Sequence, residues 1–162
     1  MQTYFSKKGL ESKKAQIRDQ EDKIKALQKE AADAAGVSHD WHDNFGYEEA
    51  TRQVEMETAF LAKLRDEIKN GKVVEPEEQN QKVAIGTTVK FTMGDEEKEF
   101  TIGAYGETDP GNGLISYTSP LADNLLEMRA GDSKSISLGG KSVVIKIKGI
   151  YPPSYRYVKI VS

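Results

Sequence analysis

The chain has 162 residues, with 23 Lys and Arg against 26 Asp and Glu for a formal charge of −3, and only 37% of it is hydrophobic. At about 100–200 residues per domain, such a length holds one domain or a small domain with an extended element, and so low an apolar share requires part of the chain to be thin and solvated. The absence of cysteine excludes a disulfide framework, a thiolate zinc site and a cysteine nucleophile; the near-neutral balance argues against a generic nucleic-acid coat, and a charged start with no run of ~18 apolar residues points to a cytoplasmic protein without a membrane span.

The first half reads as helix. Leu10, Ile17, Ile24 and Ala31 recur every seven residues, with Leu27 and Ala34 on the companion position, and no proline occurs before Pro76. A second run continues through Tyr47, Ala50, Val54, Leu61, Leu64 and Ile68, with Glu57 standing where an apolar residue is expected. Between them GVSHDWHDNFG, bounded by Gly36 and Gly46, has the composition of a turn. The expectation is an antiparallel coiled-coil hairpin over residues 1–75, its arms on the order of 40 Å long at about 1.5 Å per residue. Gln20 and Glu57 weaken its seam. A rod of that kind serves to deliver its tip somewhere.

Residues 76–85, opening on Pro76 within VVEPEEQNQK, have linker chemistry. Beyond them the period changes to two. TTVKFTM, KEFTIGAY, GLISY, KSISL and KSVVIKIKGIY read as strands, separated by GDEE, the turn Asp109–Gly113 and the Gly139-Gly140 hairpin signal. Ser119 followed by Pro120 is a helix N-cap, and Leu121, Leu125 and Met128 follow at helical spacing until Ala130-Gly131-Asp132. Residues 86–162 are therefore expected to form a small α+β domain of about five strands and one helix. At the end, Tyr151, Tyr155, Arg156, Tyr157 and Lys159 alternate basic with aromatic, a pattern compatible with RNA contact but better suited to an edge strand.

Charge is unevenly spread along the hairpin. Residues 1–29 hold eight basic and four acidic side chains, residues 30–51 hold six acids and no Lys or Arg, and residues 52–72 return to five basic against four acidic. The shaft is positive and the tip negative. Within the tip Asp40 and Asp43 are spaced to face one way, and paired carboxylates suit a hard cation such as magnesium, which takes one or two protein carboxylates and completes its shell elsewhere. Two aspartates are half a site. Either the pair is structural, or another molecule supplies the remaining ligands. His39 and His42 invite a zinc or nickel reading, yet their spacing is not that of a zincin and polar decoration of a loop accounts for them. Trp41 and Phe45 either fold back on the seam, the simpler expectation, or insert into a partner. No nucleophile elbow, phosphate-binding loop or dinucleotide fingerprint is present in the sequence.

Asp40-x-x-Asp43-Asn44, with Tyr47 three residues on, resembles the acidic tip of the GreA/GreB family of bacterial transcript-cleavage factors. Independently, Leu114-Ile115-Ser116-Tyr117-Thr118-Ser119-Pro120-Leu121-Ala122, then Leu125-Leu126 and Gly131-Asp132, resembles that family's C-terminal signature, and Gly86-Thr87-Thr88-Val89 its opening strand. Ser6 and Gly9 lie at the family's usual distance before the tip. The similarity spans roughly residues 5–151.

The resemblance implies a C-terminal FKBP-like domain that binds bacterial RNA polymerase, with Ser119, Pro120 and Leu121 at the contact. It implies a hairpin that enters the polymerase secondary channel as a monomer. There the polymerase's own centre cuts the displaced RNA 3′ end of a backtracked complex, and Asp40 and Asp43 are lent to a second Mg2+ held jointly with the polymerase. Asn44 would position water or backbone, Tyr47 would pack or contact RNA, and Arg52 would lie near the RNA on the positive shaft. The factor would be an accessory to an enzyme and not itself one. The sequence departs from the pattern at Asp43, where Glu is usual, and at Trp41, His42 and Phe45. It also lacks the basic residue usual near Gly36, and it extends past Pro153 in SYRYVKIVS. Those departures keep a second reading open, a secondary-channel regulator that does not cleave. A prolyl isomerase or chaperone is the third, from fold alone.

Overall fold

A computed structural model describes residues 2–37, 45–75 and 81–161. They form two compact units, one of residues 11–71 and one of residues 2–10 with 72–162. The elements in chain order are β1 (Thr3–Phe5), α1 (Lys7–Val37), α2 (Phe45–Lys69), β2 (Gly71–Val73), β3 (Thr88–Met93), β4 (Glu96–Gly103), β5 (Leu114–Ser116), α3 (Pro120–Leu125), β6 (Ser133–Leu138), β7 (Lys141–Tyr151) and α4 (Tyr155–Val161).

In the first unit the seven-residue spacing does what it promised. Ile17 and Ile24 of α1 bury against Leu61 and Leu64 of α2, flanked by Val54 and Ile68, and each such side chain stabilises by roughly 1.5–3 kcal/mol. The direction is fixed by pairs that run oppositely along the two helices: Lys13 Nζ donates to Glu67 Oε2 at 2.6 Å, and Lys23 Nζ to Glu57 Oε1 at 2.5 Å. The two weak points of the seam face each other. Gln20, only 8% exposed, donates through Nε2 to the Glu57 carboxylate at 2.6 Å and to its carbonyl at 3.2 Å. A buried amide and a carboxylate that would each be costly alone are thereby satisfied together.

The second unit is α+β. Its five-stranded sheet runs β5-β4-β3-β7-β6, antiparallel except for the parallel β4–β5 pair. All five anticipated runs are strands. The β6–β7 hairpin closes on Gly139 and Gly140 with φ of +58° and +79°, the left-handed pair that a two-residue turn between twisted strands requires. Ile102, Ile145, Ile147, Phe91 and Val89 fill the core beneath α3, whose Ala122 and Leu125 are fully buried.

Three expectations need correction. Residues 2–10, which include the first turn of α1, group with the sheet unit: β1 pairs with β2, Tyr105 N–H donates to Tyr4 O at 2.8 Å, and Phe5 packs edge-on against the Tyr105 ring. The helix opened by Ser119 stops at Leu125, not near Ala130. Glu127 takes φ +67°, and Glu127 N–H and Met128 O pair with Val83 O and N–H at 2.9 and 2.8 Å. This also draws Val83, fully buried in the core, out of the expected linker. Finally, the tail is not an edge strand. β7 lies inside the sheet and the chain turns after Pro153 into α4, because Tyr157 has a buried place to go (2% exposed) that a strand extension would not give it.

Candidate functional sites

The acidic segment lies between the end of α1 at Val37 and the start of α2 at Phe45. Asp40, Asp43 and Asn44, with His39, Trp41 and His42, are outside the described residues. What the structure shows is the first turns of α2. Phe45 is 75% exposed, so it does not fold back on the seam as expected. Tyr47 is 40% exposed and borders a shallow groove of about 500 Å³ beside Ala31, Ala35 and Val54. Small alanines on α1 leave that space where larger residues would close the seam.

Arg52 is not a lone cation. Its Nη2 and Nε donate to the two oxygens of Glu49 at 2.7 and 3.0 Å, and Gln53 Nε2 adds a bond at 3.2 Å. The Arg52 guanidinium, then Gln53, hold the Glu49 carboxyl below its ordinary value, and the Glu49 carboxylate in turn raises Arg52. The fork geometry is the strong form of such a pair, though its exposure limits what it contributes to stability. The i,i+3 spacing of these opposite charges is legible in the sequence.

On the sheet unit, Ser119 is a cap before it is a contact. Its Oγ accepts from Ala122 N–H at 3.3 Å, Pro120 occupies the first helical position, and Asp123 N–H donates to Ser119 O at 2.9 Å. Leu121 is half-buried against the core. Pro120 is exposed, as are the neighbouring Thr118 and Asp123, so a partner reaching this corner meets their side chains first. Among the described residues no group of three or more His, Asp or Glu is arranged to hold a metal ion, and no helix is long and apolar enough to cross a membrane.

Missed by the sequence reading was a polar joint around Glu107. Ser6 Oγ donates to Glu107 Oε1, while Glu107 Oε2 accepts from Ala104 N–H at 2.8 Å and from Tyr157 Oη at 2.9 Å. Ser6 also caps α1, accepting from Gly9 N–H at 3.0 Å. A Cβ on Gly9 would lie 3.0 Å from Ser6 Oγ and at ordinary contact distance, 3.5 Å, from Glu107 Oε1, so glycine there leaves room for the capping hydroxyl. The only prior signal was the spacing of Ser6 and Gly9.

These features define a class: a two-helix hairpin closed on itself by a narrow seam, covalently continuous with a small α+β unit that presents a capped proline corner. Comparison with known sequences makes the class specific. Residues 78–152 match the family described as "Transcription elongation factor, GreA/GreB, C-term". The chain is 34% identical over 122 residues to the transcription elongation factor GreA of Helicobacter pylori strain Shi470, covering 74% of each chain. With the GreA of Bacillus licheniformis it shares 32% over 111 residues, covering 67% of this chain and 70% of the relative. Among solved structures it is similar to the Gfh1 protein of Thermus thermophilus, at 20% identity, a TM-score of 0.44, and 93% and 99% of the two chains. The chain belongs to the GreA/GreB family of transcription elongation factors.

Proposed function

We propose that this factor enters the secondary channel of bacterial RNA polymerase with its hairpin and stimulates the polymerase's own cleavage of backtracked RNA, as a cytoplasmic accessory and not as a nuclease itself. The observation that carries the reading is a closed seam between two long helices whose intervening sequence contains two aspartates, on a chain whose sheet unit matches the family.

Asp40 and Asp43 are the residues that would hold Mg2+, jointly with the polymerase. Two anionic oxygens fit a hard cation that keeps most of its shell for water and phosphate. Bound there, the ion lowers the pKa of water and stabilises phosphoryl charge. The chain's own contribution is to carry the carboxylates, with Asn44 and Tyr47 beside them, and to present Pro120 with its neighbours Ser119 and Leu121 to the polymerase. The test is a stalled, backtracked complex with magnesium. RNA shortening from the 3′ end on adding the factor supports the reading. Polymerase binding with no shortening selects the non-cleaving channel regulator, which the shorter Asp43 favours.

The Glu49–Arg52 pair sets a further expectation. As long as Glu49 occupies the guanidinium, Arg52 is a weak partner for an RNA phosphate. Glu49→Gln should free it and steepen the dependence of log affinity on log salt for a backtracked complex by up to about 0.7 per added phosphate contact. A slope unchanged from wild type removes Arg52 from the RNA-facing surface.

A further inference from the structure

The tail after Pro153 lies beyond the family-matched segment and is given no role by the resemblance, yet the structure gives it a defined seat. Its first polar pin is Ser154, whose Oγ lies 3.4 Å from Thr101 Oγ1, itself bonded to Thr88 Oγ1 at 2.9 Å across β3 and β4. Ser154 Oγ also accepts from Tyr157 N–H at 3.3 Å, starting α4. The second pin is Tyr157, buried to 2% exposure, whose hydroxyl donates to Glu107. Burial first, and then the Glu107 carboxylate, push that hydroxyl well above the usual tyrosine range, so it remains a donor at any working pH.

Glu107 is held in place from below. Gly103 has no room for a side chain, since a Cβ there would meet Glu107 O at 2.8 Å and Leu114 Cδ1 at 3.0 Å, and Gly106 turns the chain at φ +76°. The carboxylate is thus fixed where it can take three donors: Ser6 from the cap of α1, Ala104 from its own turn, and Tyr157 from α4. Beside the two pins a half-open pocket of about 420 Å³ lies among Thr101, Asp109, Leu114, Ser154 and Tyr157.

We infer that α4 is a C-terminal latch: through Tyr157 and the shared carboxylate of Glu107 it holds Ser6 in its capping position and so secures the first turn of α1 within the sheet unit. Without the Tyr157 donor, the carboxylate loses one of the bonds that fix its orientation toward Ser6, and a bond to a charged group is among the stronger ones. The first and last segments of the chain are then tied by one side chain, and changes at the tail are read at the start of the hairpin helix.

Hydrogen–deuterium exchange on the full chain tests this without reference to polymerase. Tyr157→Phe, which keeps the ring and removes the hydroxyl, should raise amide exchange at Gly9 and Ala104 about tenfold, the equivalent of one charged hydrogen bond, and leave residues 54–68 unchanged. A chain ending at Pro153 should raise it further in the same segments. Unchanged exchange over residues 4–10 in Tyr157→Phe would overturn the latch, even if the shortened chain unfolds. An increase spread evenly over β3, β7 and α3 would overturn it too, since it would assign Tyr157 to general packing.

Discussion

Replacing Asp40 and Asp43 together by Ala is expected to slow shortening of the RNA 3′ end in a backtracked complex by about 100-fold or more, while polymerase affinity stays within about twofold of wild type. The loss of even a supporting ligand typically costs 10–100-fold at a metal centre, and here both anionic donors go. What remains in the segment, His39, His42 and Asn44, offers nitrogen and neutral oxygen that serve Mg2+ poorly. Affinity should hold because the sheet unit proposed to dock is untouched. Thermal stability should hold as well, because the seam of Ile17, Ile24, Leu61 and Leu64 lies in α1 and α2 and not in the segment between them. Cleavage by the double variant at the wild-type rate would exclude both carboxylates from the chemistry. The single change Asp43→Glu adds one methylene of reach, and a gain in cleavage over wild type is the expected sign. A wild-type protein that binds but never cleaves, and gains cleavage only with Asp43→Glu, would identify a natural regulator whose tip is too short to act.

How much of this was legible in the sequence follows from which interactions are local. Strands β3 to β7 were readable because alternation and the Gly139-Gly140 turn act over a few residues, and the Ser119-Pro120 cap because it is a contact within one helical turn. The seam was readable from its period. What escaped depends on residues far apart in the chain. Tyr157 alternates with charged neighbours like a strand residue, and nothing nearby says that Glu107, fifty residues earlier, waits for its hydroxyl. Val83 looks like the end of a linker until Glu127 turns left-handed and Met128 pairs with it. Gln20 and Glu57 each read as defects, since a one-dimensional pattern scores positions singly and could not show that the two defects meet. For the sites, the residue types of the tip suggested chemistry, whereas the pairing of Arg52 with Glu49 shows that a candidate cation can already be spoken for.

The Gln20–Glu57 contact leads to the second large expected effect. Replacing both residues by Leu should raise Tm by about 3–8 °C, because a polar pair in a helix seam is often less stabilising than well-packed apolar residues of similar size. The same change should loosen the register. In a seam whose buried apolar members, Ile17, Ile24, Leu61 and Leu64, are interchangeable branched hydrocarbons, the buried Gln20 amide and its half-buried carboxylate partner join the cross-helix ion pairs as contacts satisfied in a single alignment, a use for which polar residues in coiled-coil seams are well suited. The chain lacks cysteine, so spin labels on cysteines introduced at the exposed positions Lys14 and Lys63 can report alignment directly. Wild type should give one narrow distance distribution, and Gln20→Leu/Glu57→Leu a broadened or split one despite its higher Tm. The acid limb supplies a separate readout. Hydrogen bonds from Lys23 and then Gln20 hold the Glu57 carboxyl below its usual 4.5, so the ionised form is favoured in the folded state. That contribution is present above the usual value and is lost as pH falls through the lowered one. Below about pH 4.5 wild type should therefore lose seam stability that the double variant has no means of losing. A double variant with the same narrow distribution as wild type would show that helix packing alone sets the alignment, and would leave the pair as a cost in stability with no return in specificity.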